Sequence, residues 1–208
     1  MARVNGDILI RSVVLQASLT SFLFFGAGLG DVTLAANQVL LQFLSVTSYA
    51  LDGFAFAAEA LIGQTLGARA RRDLRRAAVL TSAWGVGTSL LLGLAFLLAG
   101  PAIIDLMATS PEVRATARDY LPWMVAAPVV GIAAWMLDGI FIGATETRAM
   151  RNAMILSAAV YAVAVALLLP RFGNSGLWAA LMILNATRGV TLALRYPGIE
   201  ARAAASLS

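Results

Sequence analysis

The chain contains no cysteine, no histidine and no lysine, and only 12% of its 208 residues are charged. Without Cys or His, disulfides, thiolate nucleophiles, zinc sites of the usual ligand set and Ser–His relays are closed to it. Intramembrane serine proteolysis that depends on a His base is excluded on the same ground. Soluble domains carry about 25% charged residues, so there is too little charge here to cover a water-facing surface. Apolar side chains take its place, at 60% of residues and a mean hydropathy of +0.83. The composition is that of an all-α, polytopic membrane protein, with the lipid bilayer as its first partner.

The net charge of +4 is not a nucleic-acid footprint: all fifteen cations are Arg, dispersed among short polar breaks, with no aromatic-studded basic face. Gly63-Gln64-Thr65-Leu66-Gly67 followed by Arg residues superficially resembles a phosphate cradle. It lacks the Gly-Lys-Ser/Thr ending of a P-loop, so nucleotide hydrolysis has no support and no enzyme is expected. That Arg run suits anionic lipid headgroups instead. The first apolar run, Ile8 to Leu29, is too long for a cleavable signal and has no small-x-small cleavage site after it.

Six spans of about twenty residues are predicted near 8–28, 34–63, 77–99, 120–143, 152–169 and 175–196, forming a single lobe over 1–208. With the N-terminus in the cytoplasm, eleven Arg fall inside (3, 11, 69, 71, 72, 75, 76, 148, 151, 195, 202) and three outside (114, 118, 171). That split obeys the positive-inside rule and predicts both termini to be cytoplasmic, in the inner or plasma membrane. The stretch Val32 to Gly63 is thirty-two residues, about 48 Å of helix against a hydrocarbon core of about 30 Å. It must tilt, bend or project. Pro122 and Pro128 in the fourth span each remove a backbone donor and favour a kink.

An acid inside a span is costly, by about 2.5 kcal/mol even on lenient insertion scales, and this chain has several. Gln38, Ser45, Asp52 and Glu59 recur every seven residues, a spacing that drifts only about 20° per repeat on a helix. They form one polar stripe, flanked by Asn37, Gln42 and Tyr49, which is expected to turn inward, away from lipid. Asp52 lies near mid-membrane and Glu59 closer to the inner surface. The stripe reads either as a cation or proton path or as interhelical hydrogen bonding that holds a bundle. Asp138, in Leu137-Asp138-Gly139, repeats the triplet Leu51-Asp52-Gly53 and is a third candidate acid or a helix-end hydrogen-bonding partner. Arg188, with Asn185 on its face, reads as the one base deep in a span, expected to pair with Asp52 or Glu59.

Several runs resemble the multidrug and toxic compound extrusion (MATE) transporters. They are Ala35 to Phe43, Leu51-Asp52-Gly53-Phe54-Ala55-Phe56-Ala57-Ala58-Glu59-Ala60 and Gly63-Gln64-Thr65-Leu66-Gly67-Ala68-Arg69. Leu137-Asp138-Gly139-Ile140-Phe141-Ile142-Gly143-Ala144-Thr145, with Arg148 to Ala153, resembles their DinF-like branch. The resemblance spans Ile8 to Arg195 and implies the C-terminal six-helix lobe of a two-lobe, twelve-helix fold. It implies cation-coupled efflux of amphipathic or cationic small molecules by alternating access, with H+ or Na+ as coupling ion and no other cofactor. It also implies a partner: a missing N-terminal lobe or a second copy, making the chain a fragment or a half-transporter. Two departures accompany it. The acid that the Na+-coupled branch carries on the first of these spans is absent between Ile8 and Gly28, and the DinF-like branch's proton acid is attributed to the other lobe. The alternative from a different class is a non-transporting scaffold or an inactive remnant.

Overall fold

A computed structural model of the chain describes residues 2–205, and all their regular structure is helical. Five long helices follow one another: α1 (Ala2–Ala27), α2 (Asp31–Gly67), α3 (Arg71–Met107), α4 (Pro111–Gly143) and α5 (Thr147–Ala193). A short α6 (Tyr196–Ala205) ends the described chain. Each of the five carries a window long and apolar enough to cross a membrane. They exceed the predicted spans because helix continues beyond the apolar run: α3 begins at Arg71 and passes through Pro101, outside the limits of 77–99 expected for the third span. A transmembrane helix tolerates such a proline when neighbouring groups satisfy the freed carbonyl.

The fifth and sixth predicted spans fall in α5, which is bent at Gly173 (φ 54°, ψ −132°) into arms of residues 147–172 and 174–193. Only glycine adopts this left-handed backbone without a Cβ penalty. On the first arm, Arg151 meets Asp7 of α1. Just past the bend, Asn174 and Trp178 meet Asn37, near the turn between α1 and α2. On the second arm, Arg188 meets Asp138 near the end of α4. The first arm therefore runs toward the α1–α2 turn and the second runs away from it.

Two apolar clusters fill the interior. One gathers Phe22, Leu40, Phe43, Phe96, Met124 and Trp178 toward the α1–α2 turn, with Phe22 edge-on to Trp178 at 4.6 Å. The other gathers Leu51, Ile62, Met136, Phe141, Met150 and Leu192 at the opposite end. Outside, large apolar side chains lie bare, Leu98 at 74% and Trp84 at 65% exposure, as a lipid-facing wall requires. α6 is tied to that second end: Glu200 pairs with Arg71 and Arg75 at 3.7 and 3.9 Å, and Arg202 reaches Glu146 and the Ala144 carbonyl at 3.0 and 2.7 Å.

The closest helix contact is the seam of α2 and α4. A Cβ on Gly139 would strike the backbone of Ala55, and one on Gly143 the backbone of Glu59. Without a hydrophobic drive between helices in lipid, small residues that let backbones approach supply the packing. Gly139→Leu is expected to force the two helices apart and lower the thermal midpoint of the detergent-purified protein by several degrees. A midpoint equal to wild type would show that the seam is not a stability determinant.

Candidate functional site

The α2–α4 seam also sets the positions of the acids. Gly139 sits against Ala55, so its neighbour Asp138 and Asp52, one turn back from Ala55, come to the same level. The repeated Leu-Asp-Gly triplet thus places two carboxylates on facing helices. Asp52 is half-buried and within electrostatic reach of both Asp138 and Arg11.

Asp138 accepts two guanidiniums on a single oxygen: Oδ2 takes Nη1 of Arg11 at 2.7 Å and Nη2 of Arg188 at 3.1 Å. The cluster joins α1, α4 and the second arm of α5, and Arg188 falls between Leu184 of one apolar cluster and Leu192 of the other. The Arg188 side chain is 5% exposed. Neither contact is the two-pronged fork that a guanidinium and a carboxylate favour. Nε of Arg11, Nε of Arg188 and Oδ1 of Asp138 are buried with no hydrogen-bond partner.

This geometry corrects two expectations. Arg188 pairs with Asp138 rather than with Asp52 or Glu59, because the second arm of α5 packs beside the end of α4. Asn185 does not support the guanidinium; its amide donates at 3.4 Å to the Leu181 carbonyl of its own helix. Nor is Arg188 the one base inside a span. Arg11, assigned to an inner loop by the count of cations, lies within α1 and is mostly buried on Asp138. Counting Arg by side of the membrane carries no information on depth, and so it missed Arg11. The signal present was its place three residues into the apolar run that opens at Ile8.

The polar stripe does not turn wholly into this bundle. Gln38 and Gln42 are exposed, Tyr49 is 77% exposed, and Ser45 and Glu59 are half-buried. The buried face of α2 is Leu40, Phe43, Leu51, Ala58 and Ile62; at 100° per residue Gln38, Gln42 and Tyr49 lie opposite that face, whereas Asp52 and Glu59 lie at its flank. Ser45 turns its hydroxyl to the Leu41 carbonyl of its own helix, at 3.1 Å. Glu59 pairs with no cation among the described residues. Asn37 alone of the set is fully enclosed, exchanging amide hydrogen bonds with Asn174 at 2.7 and 2.9 Å and accepting Trp178 Nε1 at 3.0 Å. That clamp closes the bend of α5 onto the start of α2. Among the described residues there is no group of three His, Cys, Asp or Glu that could hold a metal ion.

Starting at Val13 and Val14, within a turn of Arg11 along the helix, α1 and the first arm of α5 line an apolar groove of about 630 Å³, with Ser18, Ser21, Tyr161, Ala162 and Val165 among its walls. Ser21 and Tyr161 hydrogen-bond across it at 3.3 Å.

The MatE family profile matches residues 8–168. The DNA damage-inducible protein F of Escherichia coli strain K12 is 44% identical over 193 residues, 91% of this chain and 41% of that protein. Protein DETOXIFICATION 43 of Arabidopsis thaliana is 29% identical over 90% of this chain and 36% of its own length. Among solved structures, a MOP superfamily transporter from Pyrococcus furiosus superposes with a TM-score of 0.84 at 19% identity, over 94% of this chain and 44% of that one. A crystal structure of MATE in complex with MaL6 gives 0.85 at 18% identity, over 93% of this chain and 44% of that one. The chain spans about two fifths of the curated relatives it matches. Matched over most of its residues by the family profile and close in sequence to a DinF protein, the chain belongs to the MATE family of multidrug and toxic compound extrusion transporters.

Proposed function

We propose that this chain is one lobe of a cation-coupled antiporter in the cell membrane, exporting amphipathic or cationic small molecules by alternating access. The observation that carries the reading is the open stripe on α2. Gln38, Gln42 and Tyr49 lie bare on the side opposite the packed face, and lipid is a poor neighbour for amides. A second lobe facing that stripe across a watery cavity removes the conflict, and midplane sites at a repeat interface are the rule in such transporters. The second lobe is either the remainder of a longer polypeptide or a second copy of this chain. In this reading the two arms of α5 cross separately, which gives six spans with both termini on the cytoplasmic side and the Arg-rich start of α3 against inner-leaflet headgroups.

Within the site the acids divide the work. Asp138 spends its carboxylate on two guanidiniums, whereas Asp52 makes no ion pair or hydrogen bond among the described residues and is free to take H+ or Na+. Glu59, nearer the inner end, serves as an entry or exit point for the same ion. The test is export of ethidium from proteoliposomes holding the full polypeptide that carries this chain, driven in turn by an imposed pH or Na+ gradient. Gradient-dependent export supports the reading and identifies the ion by which gradient drives it. Ethidium movement indifferent to both gradients would leave the scaffold alternative standing.

A further inference from the structure

We propose that Arg11 and Arg188, with the groove between α1 and the first arm of α5, form a binding site for an amphipathic organic anion. The anionic head would sit on the guanidiniums and the apolar body in the groove. Two independent observations carry this. The first is the unspent donor capacity of the cluster. Two guanidiniums offer ten N–H groups between them, yet their side-chain partners come to one oxygen of Asp138, and both Nε are buried with no acceptor. Asp52 balances charge from a distance but supplies no hydrogen bond to either Arg. What is missing is an acceptor with two or more oxygens, the chemistry of a carboxylate or sulfonate.

The second observation is where the groove begins. Arg11 and Ser18 are seven residues apart, nearly on one face of α1, and Ser18, Val14 and Ser21 line the groove together with Tyr161 of α5. Val14 is one turn from Arg11, about 5 Å along the axis. Arg11 thus stands one turn beyond an apolar slot whose hydroxyls are those of Ser18, Ser21 and Tyr161, and Arg188 is brought to it by their shared oxygen of Asp138. The approach from the helix end is basic too: Arg148 and Arg151 line a hollow of about 410 Å³ next to Asp7, the residue one turn before Arg11. A head-and-body ligand of negative charge complements this sequence of surfaces, and a cation does not.

Binding is measured without transport, so the site stands or falls separately from ion coupling. The full polypeptide is reconstituted in phosphatidylcholine nanodiscs and titrated with radiolabelled 1-naphthoate, with 1-naphthylmethylammonium as the cation of similar shape. Saturable naphthoate binding that the ammonium does not displace is expected. Arg11→Gln should weaken it about tenfold or more, the loss of one charge-assisted hydrogen bond. Ala162→Trp, which fills the groove from an exposed position remote from the charges, should do the same while leaving the fold intact. Asp138→Asn should tighten binding, because it removes the carboxylate that competes for the guanidiniums; a purely structural cluster predicts the reverse. Equal competition by the ammonium, or naphthoate binding unchanged in both Arg11→Gln and Ala162→Trp, overturns the site. Loss of naphthoate binding in phosphatidylglycerol nanodiscs would assign the pocket to a lipid headgroup and overturn the small-molecule occupant. Intact naphthoate binding with no gradient-driven export would overturn the transport reading alone.

Discussion

Asp138→Ala is expected to be the most destabilising single substitution in the site, costing about 3–5 kcal/mol, because it strips the common partner from two buried guanidiniums. Arg188 is the more enclosed of the two and has no other acid within bonding distance. The converse change is milder: Arg188→Ala leaves Asp138 with Arg11 at 2.7 Å, so the acid keeps one partner in place. Asp138→Leu combined with Arg188→Met removes the acid and the more enclosed of its two guanidiniums, leaving only Arg11 without its partner, and should recover part of the loss that Asp138→Ala causes alone. The measurement is thermal or denaturant unfolding of the four detergent-purified proteins. An Asp138→Ala midpoint no lower than that of Arg188→Ala would mean that the guanidiniums find water or lipid phosphate as easily as they find the acid.

The gross architecture was legible in composition and periodicity. Apolar runs located every long helix, since a membrane-crossing helix must be apolar along its length. The boundaries were less legible, because helix geometry costs little to extend past the hydrocarbon: α2 reaches Gly67 and α3 starts at Arg71, inside the run taken as a loop. The predicted third span ends at residue 99, yet α3 runs on through Pro101, while the gap between the predicted fifth and sixth spans, after residue 169 and before 175, holds the bend at Gly173. The acids were legible as anomalies in an apolar background, and the Leu-Asp-Gly repeat was visible. Its meaning was not, because the glycine's job is to admit the backbone of a helix some eighty residues distant. The pairing of Arg188 went wrong for a related reason: depth in the membrane ranks candidate partners, but lateral packing of helices chooses among them. The stripe shows the same limit. Its seven-residue period placed Gln38, Ser45, Asp52 and Glu59 on one face, yet the period alone does not say whether that face meets this bundle or what stands opposite.

If Asp52 carries the coupling ion, Asp52→Asn should reduce gradient-driven export at least tenfold while leaving expression and unfolding midpoint close to wild type. The contrast with Asp138 follows from their surroundings. Asn retains the size of Asp52 and breaks no hydrogen bond or ion pair, since that side chain makes none among the described residues, so folding has little to lose. It removes the one feature a cation needs, a negative oxygen that can be protonated or can coordinate. Glu59→Gln at the inner end of the stripe is the matched control and should slow export less, since an acid near the interface is more readily replaced by water. Export by Asp52→Asn with the wild-type dependence on the gradient would remove Asp52 from the mechanism and move the coupling group to the facing lobe. A further check separates charge from position. Asp52→Glu keeps the carboxylate and should retain gradient dependence with altered rate, whereas a merely structural Asp52 would tolerate Asn better than the longer Glu beside Asp138 and Arg11.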